Sequence, residues 1–536
     1  MSAEPACIRA EPRVRAAYSE TAGIYRVIPA GVAFPASVGE LADLVRWAVA
    51  TGTPLIARGA GSGIPGNAVG EGIVVDLRER MPERLEVNPA ARTAITSAGI
   101  TQQALNAAAL PHGLRLPPDP SSSRWATLGG MVSTNAAGAR TVRYGPARNW
   151  VEALEVVTGD GEVGWLERGV EPDGPAAITR FRREVAPALR AAADTIRARF
   201  PAVRKNTAGY ALDHWLRTGD DLELLVGAEG TLALVTAIRW RLCPVAGART
   251  GVRIGLRSLD DLEPAVRALV ALDPSALELL DRTFLDLVGD QAGDTHGAEA
   301  LLLVEFERDN AAAARGVAGD AVRAVEQLAT DIETALTPAE EQRLWALRHA
   351  ASPILASLPP ERRSLQVIED GCVPLPRLGE YVHAIRAAAA AQGITVVIFG
   401  HAGDGNVHVN ALPEVSRPDW LARVEALYRE VSAAAIRLGG TVSGEHGDGR
   451  LRAPLLEALY GPEVVALFRR VKAAFDPHGI FNPGVKLATG LPALGALKLG
   501  PEAAPIPDDV AGALREIERT GGYARSRLEI ARTPTS

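Results

Sequence analysis

The sequence predicts an α+β fold with two large domains, of which the second is built on an antiparallel sheet. Three observations support this prediction. The 536 residues exceed what one hydrophobic core usually organises, so two or three domains are expected. Short apolar strands alternate with amphipathic helices in the first half of the chain. In the second half, apolar strands are separated by long helical stretches, which favours an α+β domain.

The first domain is expected to cover residues 28–245, after an N-terminal segment of residues 1–27. The stretch ASVGELADLVRWAVATG predicts an amphipathic helix that ends at Gly52, because glycine tolerates the turn that closes a helix. A helix is also predicted over residues 180–199. The other predicted elements are strands in PLIARGAGSG, GIVVDL and VEALEVVTGDGEV and a helix in QQALNAAAL, and the stretch LELLVGAEGTLALVTAIRWRLCP closes the domain.

The second domain is expected to cover residues 246–488, followed by a Pro- and Ala-rich tail over residues 489–536. Its predicted strands are GVRIGLRSL, ALELLD, ALLLVEFER and ITVVIFGHAG. Its predicted helices cover residues 260–271, 310–336, 375–392 and 417–438. The tail contains one short predicted helix, at residues 508–519.

Composition excludes several classes of protein. A net charge of −7 argues against nucleic acid as a partner, because a phosphate-binding surface usually carries a basic excess. Cys7, Cys243 and Cys372 form no C-x-x-C pair, so neither a disulfide framework nor a thiolate metal site is indicated. The sequence has no apolar run of about 18 residues and no signal-like start. We therefore expect a cytoplasmic protein that does not span a membrane.

Three glycine-rich loops in the first domain indicate an extended ligand. RGAGSG, at residues 58–63, follows a predicted strand directly, and its small residues allow backbone N–H groups to approach a pyrophosphate. TLGGMVSTNAAG and GAEGTLALVT supply two more such loops. A single loop of this kind is also compatible with an ordinary tight turn, and neither the G-x-G-x-x-G spacing nor a P-loop lysine is present. Three loops together favour a long ligand that lies between backbone segments.

Six motifs, in order, resemble the vanillyl-alcohol oxidase family of flavoproteins with a p-cresol-methylhydroxylase-type FAD domain. They are PLIARGAGSG, PPDPSSSRWATLGGMVSTNAAG, GAEGTLALVT, GHAGDGNVHVN, SGEHGDG and GIFNPGVKL, and the resemblance covers residues 28–488. Within that family the chain is similar to the FAD-linked D-2-hydroxyacid dehydrogenases, which act on D-lactate, glycolate or D-2-hydroxyglutarate. The resemblance implies an FAD-binding domain followed by a substrate, or cap, domain.

The resemblance also implies which residues hold the cofactor. The loop at Arg58, Gly59, Ala60, Gly61, Ser62 and Gly63 would bind the pyrophosphate. The remaining cofactor contacts would come from Pro118, Asp119, Thr127, Gly130, Ser133, Asn135, Gly138, Glu229 and Val235. Relatives that attach FAD covalently often do so through a histidine in the pyrophosphate loop. This loop contains none, so we expect noncovalent FAD.

A histidine cluster in the second domain predicts a metal site. The stretch GHAGDGNVHVN is expected to form a β-hairpin that brings His401 and His408 together. Glu445, in a second glycine-rich turn, would add a carboxylate ligand and leave open positions for a substrate. Taken alone, the pair of histidines also fits polar residues that are satisfied within glycine turns. The related enzymes use these positions as metal ligands, which favours one divalent ion, zinc first, with manganese or iron as alternatives.

Two further residues are candidates for the chemistry. His446, next to Glu445, is expected to be the base that removes an alcohol proton, since imidazole titrates near neutral pH. Arg348 matches an arginine that the family uses for the substrate carboxylate, which a guanidinium binds with a planar fork. Relatives that act on hydroxyglutarate carry a lysine just before the aspartate that is Asp370 here. Ile368 and Glu369 occupy that place, which argues against a dicarboxylate substrate.

The predicted reaction is oxidation of a D-2-hydroxy acid to the 2-oxo acid, with hydride passing to flavin N5. The electrons would then pass to a separate acceptor: a quinone, an electron-transfer flavoprotein, a cytochrome or an iron–sulfur subunit. One alternative with the same fold is an ether-lipid synthase or sugar-lactone oxidase, which would not need the His-His-Glu site. Another is a metal-dependent hydrolase in which the glycine loops are only structural.

The tail contains EIERTGGYARSR, which resembles the start of the cysteine-rich module fused to some longer relatives. In that module cysteines recur at a C-x-x-C-x-x-C spacing because they bind an iron–sulfur cluster. Here the spacing falls on Thr520, Tyr523 and Ser526, which do not usually bind such a cluster. We therefore expect no iron–sulfur cluster and a tail that serves as packing or docking surface.

Overall fold

A computed structural model describes residues 4–171, 174–289, 295, 297–349, 351–359, 363–500 and 502–532. The predicted α+β fold is confirmed: helices cover a four-stranded mixed sheet, a five-stranded antiparallel sheet and a seven-stranded antiparallel sheet. The strands in chain order are β1 (Ile8–Arg9), β2 (Gly31–Ala33), β3 (Leu55–Arg58), β4 (Ile73–Asp76), β5 (Leu85–Asn88), β6 (Thr93–Ser97), β7 (Leu114–Arg115), β8 (Val151–Thr158), β9 (Val163–Glu167), β10 (Ala233–Arg241), β11 (Cys243–Pro244), β12 (Ala248–Leu256), β13 (Ala276–Asp281), β14 (Ala300–Arg308), β15 (Ala329–Ala335), β16 (Gly371–Cys372), β17 (Thr395–His401) and β18 (Asn406–Leu412).

The helices are mostly short in the first half of the chain and longer in the second. In chain order they are α1 (Pro12–Ala17), α2 (Val38–Thr51), α3 (Gln102–Ala109), α4 (Leu128–Thr134), α5 (Thr141–Tyr144), α6 (Ala176–Glu184), α7 (Ala186–Ala191), α8 (Ala193–Arg199), α9 (Leu212–Thr218), α10 (Leu222–Leu225), α11 (Leu262–Val270), α12 (Arg282–Val288), α13 (Ala311–Val325), α14 (Pro338–His349), α15 (Ala351–Ala356), α16 (Leu378–Gln392), α17 (Trp420–Arg437), α18 (Gly449–Arg452), α19 (Leu456–Phe475), α20 (Asp508–Thr520) and α21 (Arg527–Ala531).

The first half of the chain combines two sheets. The order β1-β2-β4-β3 has parallel pairs β2–β4 and β3–β4, and the order β5-β6-β10-β8-β9 is antiparallel throughout. Helix α2 connects β2 and β3 as predicted: Ser37 accepts the Glu40 amide at its start, and Gly52 closes it with φ of 67°. The glycine-rich loop RGAGSG therefore begins at the carboxyl end of a buried parallel strand, β3.

The prediction of one helix over residues 180–199 was wrong, because the structure has the three short helices α6, α7 and α8 there. Pro187 lies in the first turn of α7. A proline cannot donate the backbone hydrogen bond that would continue α6 into α7, so the helix breaks just before it.

The second half of the chain forms the seven-stranded sheet β15-β12-β14-β13-β17-β18-β16, and every pair in it is antiparallel, as predicted. The helix predicted over 310–336 was wrong beyond Val325, since residues 329–335 form the edge strand β15. Arg253 on β12 pairs across the strands with Asp331 at 2.6 Å and with Glu333 at 3.2 Å. These cross-strand ion pairs and the β-branched residues of β15 favour a strand over a helix.

The C-terminal residues return to the start of the chain. Helix α20, close to the predicted 508–519, and helix α21 both contact α1. Among the described helices, none is long and apolar enough to cross a membrane.

Candidate active site

Most residues of the two predicted sites line one cavity. The glycine-rich loop after β3, the N-terminal turn of α4 and the start of β10 form one part of its wall. Arg348, His401, His408, Glu445 and His446 form another part. The sequence predicted two sites far apart in the chain, and the fold brings them together.

The loop after β3 presents backbone to the cavity. Gly61 has a φ of 73°, which favours glycine, and a Cβ atom at Gly59 would lie 2.1 Å from the Thr127 hydroxyl. The Arg58 side chain turns away from this surface and donates to the carbonyl oxygens of Tyr18 at 3.0 Å and Glu20 at 2.7 Å. The loop can therefore hold a ligand through its N–H groups, while Arg58 secures it from behind.

The other predicted cofactor residues divide into two groups. Thr127, Gly130, Ser133, Glu229 and Val235 lie along the cavity wall. Pro118, Asp119, Asn135 and Gly138 lie outside the described lining of the cavity.

The residues of the second group support the wall from behind. Asp119 pairs with Arg140 at 2.6 Å, and Gly138 packs against the Asp119 carbonyl with a φ of 138°. Asn135 adopts a left-handed conformation and accepts the Arg148 amide at 2.9 Å.

The loop of residues 58–63 and the start of α4, here called the cradle, fit the adenine dinucleotide that the motifs imply. A Cβ atom at Gly129 would lie 2.6 Å from the Ala98 side chain, and one at Gly63 would lie 2.4 Å from Asn67 Oδ1. Thr127 caps α4, so the first amides of that helix begin at the cavity wall. Backbone N–H groups and small side chains on two sides suit a pyrophosphate and the chain that joins it to a flavin.

The predicted hairpin is present and carries the two histidines. Strands β17 and β18 pair so that Phe399 opposes His408 and His401 opposes Asn406. The two imidazole rings lie 5.0 Å apart and nearly perpendicular. Glu445 Oε1 is 2.9 Å from His401 Nε2 and 3.3 Å from His408 Nε2. One ligand atom from each residue lies within 4.8 Å of the others, so the set can hold one divalent cation.

Hydrogen bonds set the orientation of both rings. His401 Nδ1 is 2.6 Å from Glu278 Oε1, and His408 Nδ1 donates to the Glu369 carbonyl oxygen at 2.7 Å. Each ring therefore holds its proton on Nδ1 and offers Nε2 towards Glu445. Such partners fix the tautomer of metal-binding histidines.

Glu445 is held in its ionised form. Burial alone would raise the pKa of its carboxyl, but Lys205 and His401 outweigh it and hold that pKa well below its usual range. Lys205 Nζ lies 2.9 Å from Glu445 Oε2 and 3.3 Å from Asp404 Oδ2. Asp370 accepts the amides of Glu445 at 3.0 Å and of His446 at 2.8 Å, which fixes the turn.

A second set of potential ligands is already engaged within the protein. Glu369, Asp370, His408 and His446 also bring their ligand atoms within 4.8 Å of one another. However, the Glu369 carboxylate hydrogen-bonds both Arg452 and His446 Nδ1, and Asp370 accepts two amides. The set of His401, His408 and Glu445 is therefore the better candidate of the two for a cation.

His446 lies beside the ligand set. Its ring stacks on His408 with centroids 5.0 Å apart, and its Nε2 lies 3.7 Å from Glu445 Oε1. Burial alone would lower its pKa, but the carboxylates of Glu369 and Asp370 outweigh burial and raise it to about 9. With Nδ1 hydrogen-bonded to Glu369, Nε2 is the nitrogen that can exchange a proton with a ligand.

Arg348 reaches the same cavity from α14. Its Nε donates to Glu278 Oε2 at 2.6 Å, and its guanidinium lies 4.9 Å from the centre of the Phe399 ring. Glu278 therefore holds both Arg348 and His401, one with each carboxylate oxygen.

Sequence reasoning missed three residues of this site. Glu278 lies in the centre of β13, a fully buried strand, and an acid within ALELLD was a signal that could have found it. Lys205 is one of only four lysines in the chain, and Glu369 was noted only as the residue in place of a lysine before Asp370. A buried charge almost always has a partner, so each of these residues pointed to an ionic site.

Comparison with known proteins shows which family the chain resembles. Residues 29–167 match the profile "FAD binding domain", and residues 248–485 match "FAD linked oxidases, C-terminal domain". The chain is 33% identical to D-lactate dehydrogenase of Archaeoglobus fulgidus over 84% of this chain and 89% of that protein. It is 30% identical to glycolate oxidase subunit GlcD of Bacillus subtilis over 87% of this chain and 90% of that protein.

A solved structure supports the fold. The 4-ethylphenol oxidase of Gulosibacter chungangensis superimposes with a TM-score of 0.66 at 16% identity, over 90% of this chain and 94% of that one. The two profiles and the relatives above show that the chain belongs to the FAD-linked oxidase family and is an FAD-dependent 2-hydroxyacid dehydrogenase or oxidase.

Proposed function

We propose that this enzyme oxidises a D-2-hydroxy acid of the D-lactate or glycolate class to the 2-oxo acid and passes the electrons to a separate acceptor. The observation that carries the proposal is the single cavity, in which a glycine-lined dinucleotide cradle meets Arg348, His446 and a three-ligand set. The oxidation of an alcohol next to a carboxylate needs a hydride acceptor, a cation for the carboxylate, a base and a group that polarises the substrate oxygens, and the proposed parts of the cavity supply these in turn.

Two bound groups complete the proposed site. The chemistry that FAD supplies when bound in the cradle is acceptance of the C2 hydrogen and its electron pair at N5. The chemistry that a divalent cation supplies on His401, His408 and Glu445 is polarisation of the substrate oxygens. We propose zinc, because two imidazoles and one carboxylate form a common catalytic zinc set, with manganese and iron as the alternatives.

Arg348 is proposed to bind the substrate carboxylate. Its guanidinium is buried at the cavity wall and is oriented by Glu278, so little side-chain freedom would be lost when the substrate binds.

The charges of the cavity favour a monocarboxylate. Among the described lining residues, Arg348 and Arg58 are the only arginine or lysine side chains. Arg58 is already bonded to backbone carbonyl oxygens. Where relatives that act on hydroxyglutarate carry a lysine, this chain has the acid Glu369, which is bonded to Arg452 and His446. This position therefore supplies no cation for a second carboxylate.

His446 is proposed to take the hydroxyl proton on Nε2. The Glu369 carboxylate on Nδ1 stabilises the imidazolium that this step forms and keeps the ring in place. The O–H bond breaks as the N–H bond forms, and the C2 carbon becomes the carbonyl carbon of the 2-oxo acid. His446 can act in this way only from its neutral form.

A substrate panel with an artificial dye acceptor tests the proposal. D-lactate and glycolate should reduce the flavin and the dye, whereas L-lactate and D-2-hydroxyglutarate should give at least about tenfold lower kcat/KM, since the wrong hand or an unpaired second carboxylate costs binding energy. If none of the 2-hydroxy acids reduces the flavin, the proposal fails. If D-2-hydroxyglutarate is the best substrate, the assignment of a monocarboxylate is wrong.

We expect the FAD to be noncovalent. The loop RGAGSG contains no histidine that could form a covalent link to the flavin. Precipitation of the purified protein with acid should release the yellow colour into the supernatant. Flavin that stays with the washed pellet would contradict this prediction.

A further inference from the structure

The segment of residues 502–532, here called the C-terminal segment, packs directly behind the cofactor cradle. Its buried residues Val510, Leu514, Ile517, Tyr523 and Ile530 belong to one apolar cluster. That cluster also contains Ile56 of β3 and Ala60 of the glycine-rich loop. The tail predicted from the sequence is therefore part of the core beneath the proposed pyrophosphate loop.

Polar contacts anchor the segment to the residues that follow β4. Arg78 donates to the carbonyl oxygens of Tyr523, at 3.1 Å, and Ala524. Ser526 donates to Glu79 at 2.6 Å, and the Tyr523 ring lies 6.0 Å from that of Trp125. Leu77, next to Arg78, and Ser122, near Trp125, line the cavity. The segment therefore contacts residues that are close in sequence to the cavity wall.

Among the described residues, none hydrogen-bonds the guanidinium of Arg527, a largely buried cation of this segment. Its exposed fraction is 6%, and its Nε and Nη1 atoms have no hydrogen-bond partner in the described part of the chain. Its guanidinium lies over the Tyr523 ring at 5.7 Å. Burial first, and then the positive charge of Arg58, lower its pKa to about 10, so it stays charged near neutral pH. A charge of this kind is costly unless an opposite charge acts on it.

Arg58 is a second buried cation, directly under the loop. A Cβ atom on Gly61 would lie 2.5 Å from Arg58 Nη2, so the guanidinium touches the underside of the loop. It is 2% exposed and donates to backbone carbonyl oxygens. Among the described residues, no carboxylate lies within 4.0 Å of the guanidinium nitrogens of Arg58 or Arg527.

The acids nearest to these two arginines are engaged elsewhere. Asp76 accepts the Tyr18 hydroxyl at 2.7 Å and two backbone amides at 2.8 Å. Glu20 pairs with Arg26 at 2.6 Å, and Glu79 accepts from Ser526. Asp76 reduces the positive potential around Arg58 in part, but the region behind the loop keeps an excess of positive charge.

We propose that the C-terminal segment is part of the cofactor site and that Arg527, together with Arg58, supplies a buried positive potential that attracts the FAD pyrophosphate. The loop amides contact the phosphates, and the two guanidiniums act through the loop, where the low-dielectric surroundings screen them little. This inference rests on the proposed cradle for FAD. It makes Arg527 a positioning residue for cofactor binding, with no contact to the substrate.

The test is flavin binding to apoprotein prepared from wild type, Arg527→Gln and Arg519→Gln. Arg519 is a matched control, because it lies on α20, is 55% exposed and pairs with Glu516. Fluorescence titration with FAD should give a Kd about tenfold weaker for Arg527→Gln and unchanged for Arg519→Gln. Riboflavin, which lacks the pyrophosphate, should bind all three proteins equally.

Thermal unfolding separates this role from a merely structural one. Loss of an unpaired buried charge should leave the Tm of apo Arg527→Gln equal to that of wild type or higher, while the rise in Tm on adding FAD becomes smaller. Arg527→Lys, which keeps the charge, should bind FAD more tightly than Arg527→Gln.

Three outcomes would overturn the inference: unchanged FAD affinity in Arg527→Gln, an equal loss of riboflavin and FAD affinity, or equal weakening in Arg527→Lys and Arg527→Gln. If the wild-type apoprotein does not bind FAD at all, the proposed function itself fails, which is a distinct result.

Discussion

Replacing His446 by alanine is expected to lower kcat by about a hundred- to ten-thousandfold, the usual range for loss of a general base. Bound FAD and metal should stay at wild-type levels, because His446 Nδ1 is engaged by Glu369 and its ring lies outside the assigned ligand set. The measurement is anaerobic reduction of the flavin by D-lactate, followed by its absorbance, with flavin and metal content determined on the same sample.

The chain offers a matched control for this variant. His383 is 53% exposed and bonds Asp260 at 2.9 Å, so His383→Ala should reduce its flavin at the wild-type rate. Near-normal reduction in His446→Ala would remove His446 from the mechanism. Loss of metal from that variant would instead favour the alternative ligand set, which contains His446 with Glu369, Asp370 and His408.

The sequence predicted well those elements of the site that depend on residues close together in the chain. The hairpin that carries His401 and His408 follows from two apolar strands around a Gly-Asp-Gly-Asn turn. The loop after β3 follows from a strand that ends at Arg58 and is followed by the five small residues GAGSG. Periodicity and turn residues act over short distances along the chain, so one sequence is enough to find them.

The residues that sequence reasoning missed act across long distances along the chain. Glu278 precedes His401 by 123 residues, and Lys205 precedes Glu445 by 240. Their partners are decided by the pairing of β13 with β17 and by contact between the two halves of the chain. The packing of the C-terminal segment behind the cradle is of the same kind, since Arg78 and Tyr523 are 445 residues apart.

The contacts between the two halves of the chain have a consequence for the site. Lys205 from the first half holds Glu445, and Glu229 accepts the amides of Asp448 at 2.7 Å and Gly449 at 2.9 Å. Lys486 also pairs with Glu229, at 3.0 Å. The turn that carries Glu445 and His446 is thus fixed against the cavity wall by contacts from the first half of the chain.

The second large effect is expected for the metal ligands. His401→Ala should lose both the bound metal and turnover while it keeps FAD, because the ring supplies one of three ligands and lies apart from the glycine loops. Metal analysis, flavin content and kcat on one preparation check this. A full complement of metal in His401→Ala, with normal turnover, would contradict the assigned site.

Glu278→Gln tests how the proposed metal ligands are oriented, since it leaves all three of them in place. The amide cannot carry the charge that holds His401 Nδ1 and Arg348 Nε, at 2.6 Å each, so metal affinity should fall about ten- to a hundredfold and KM for D-lactate should rise. Excess zinc should restore metal occupancy in Glu278→Gln but not in His401→Ala, whereas the raised KM should persist because Arg348 remains without its partner. Full recovery of KM by zinc alone would show that Glu278 acts only through the metal ligand.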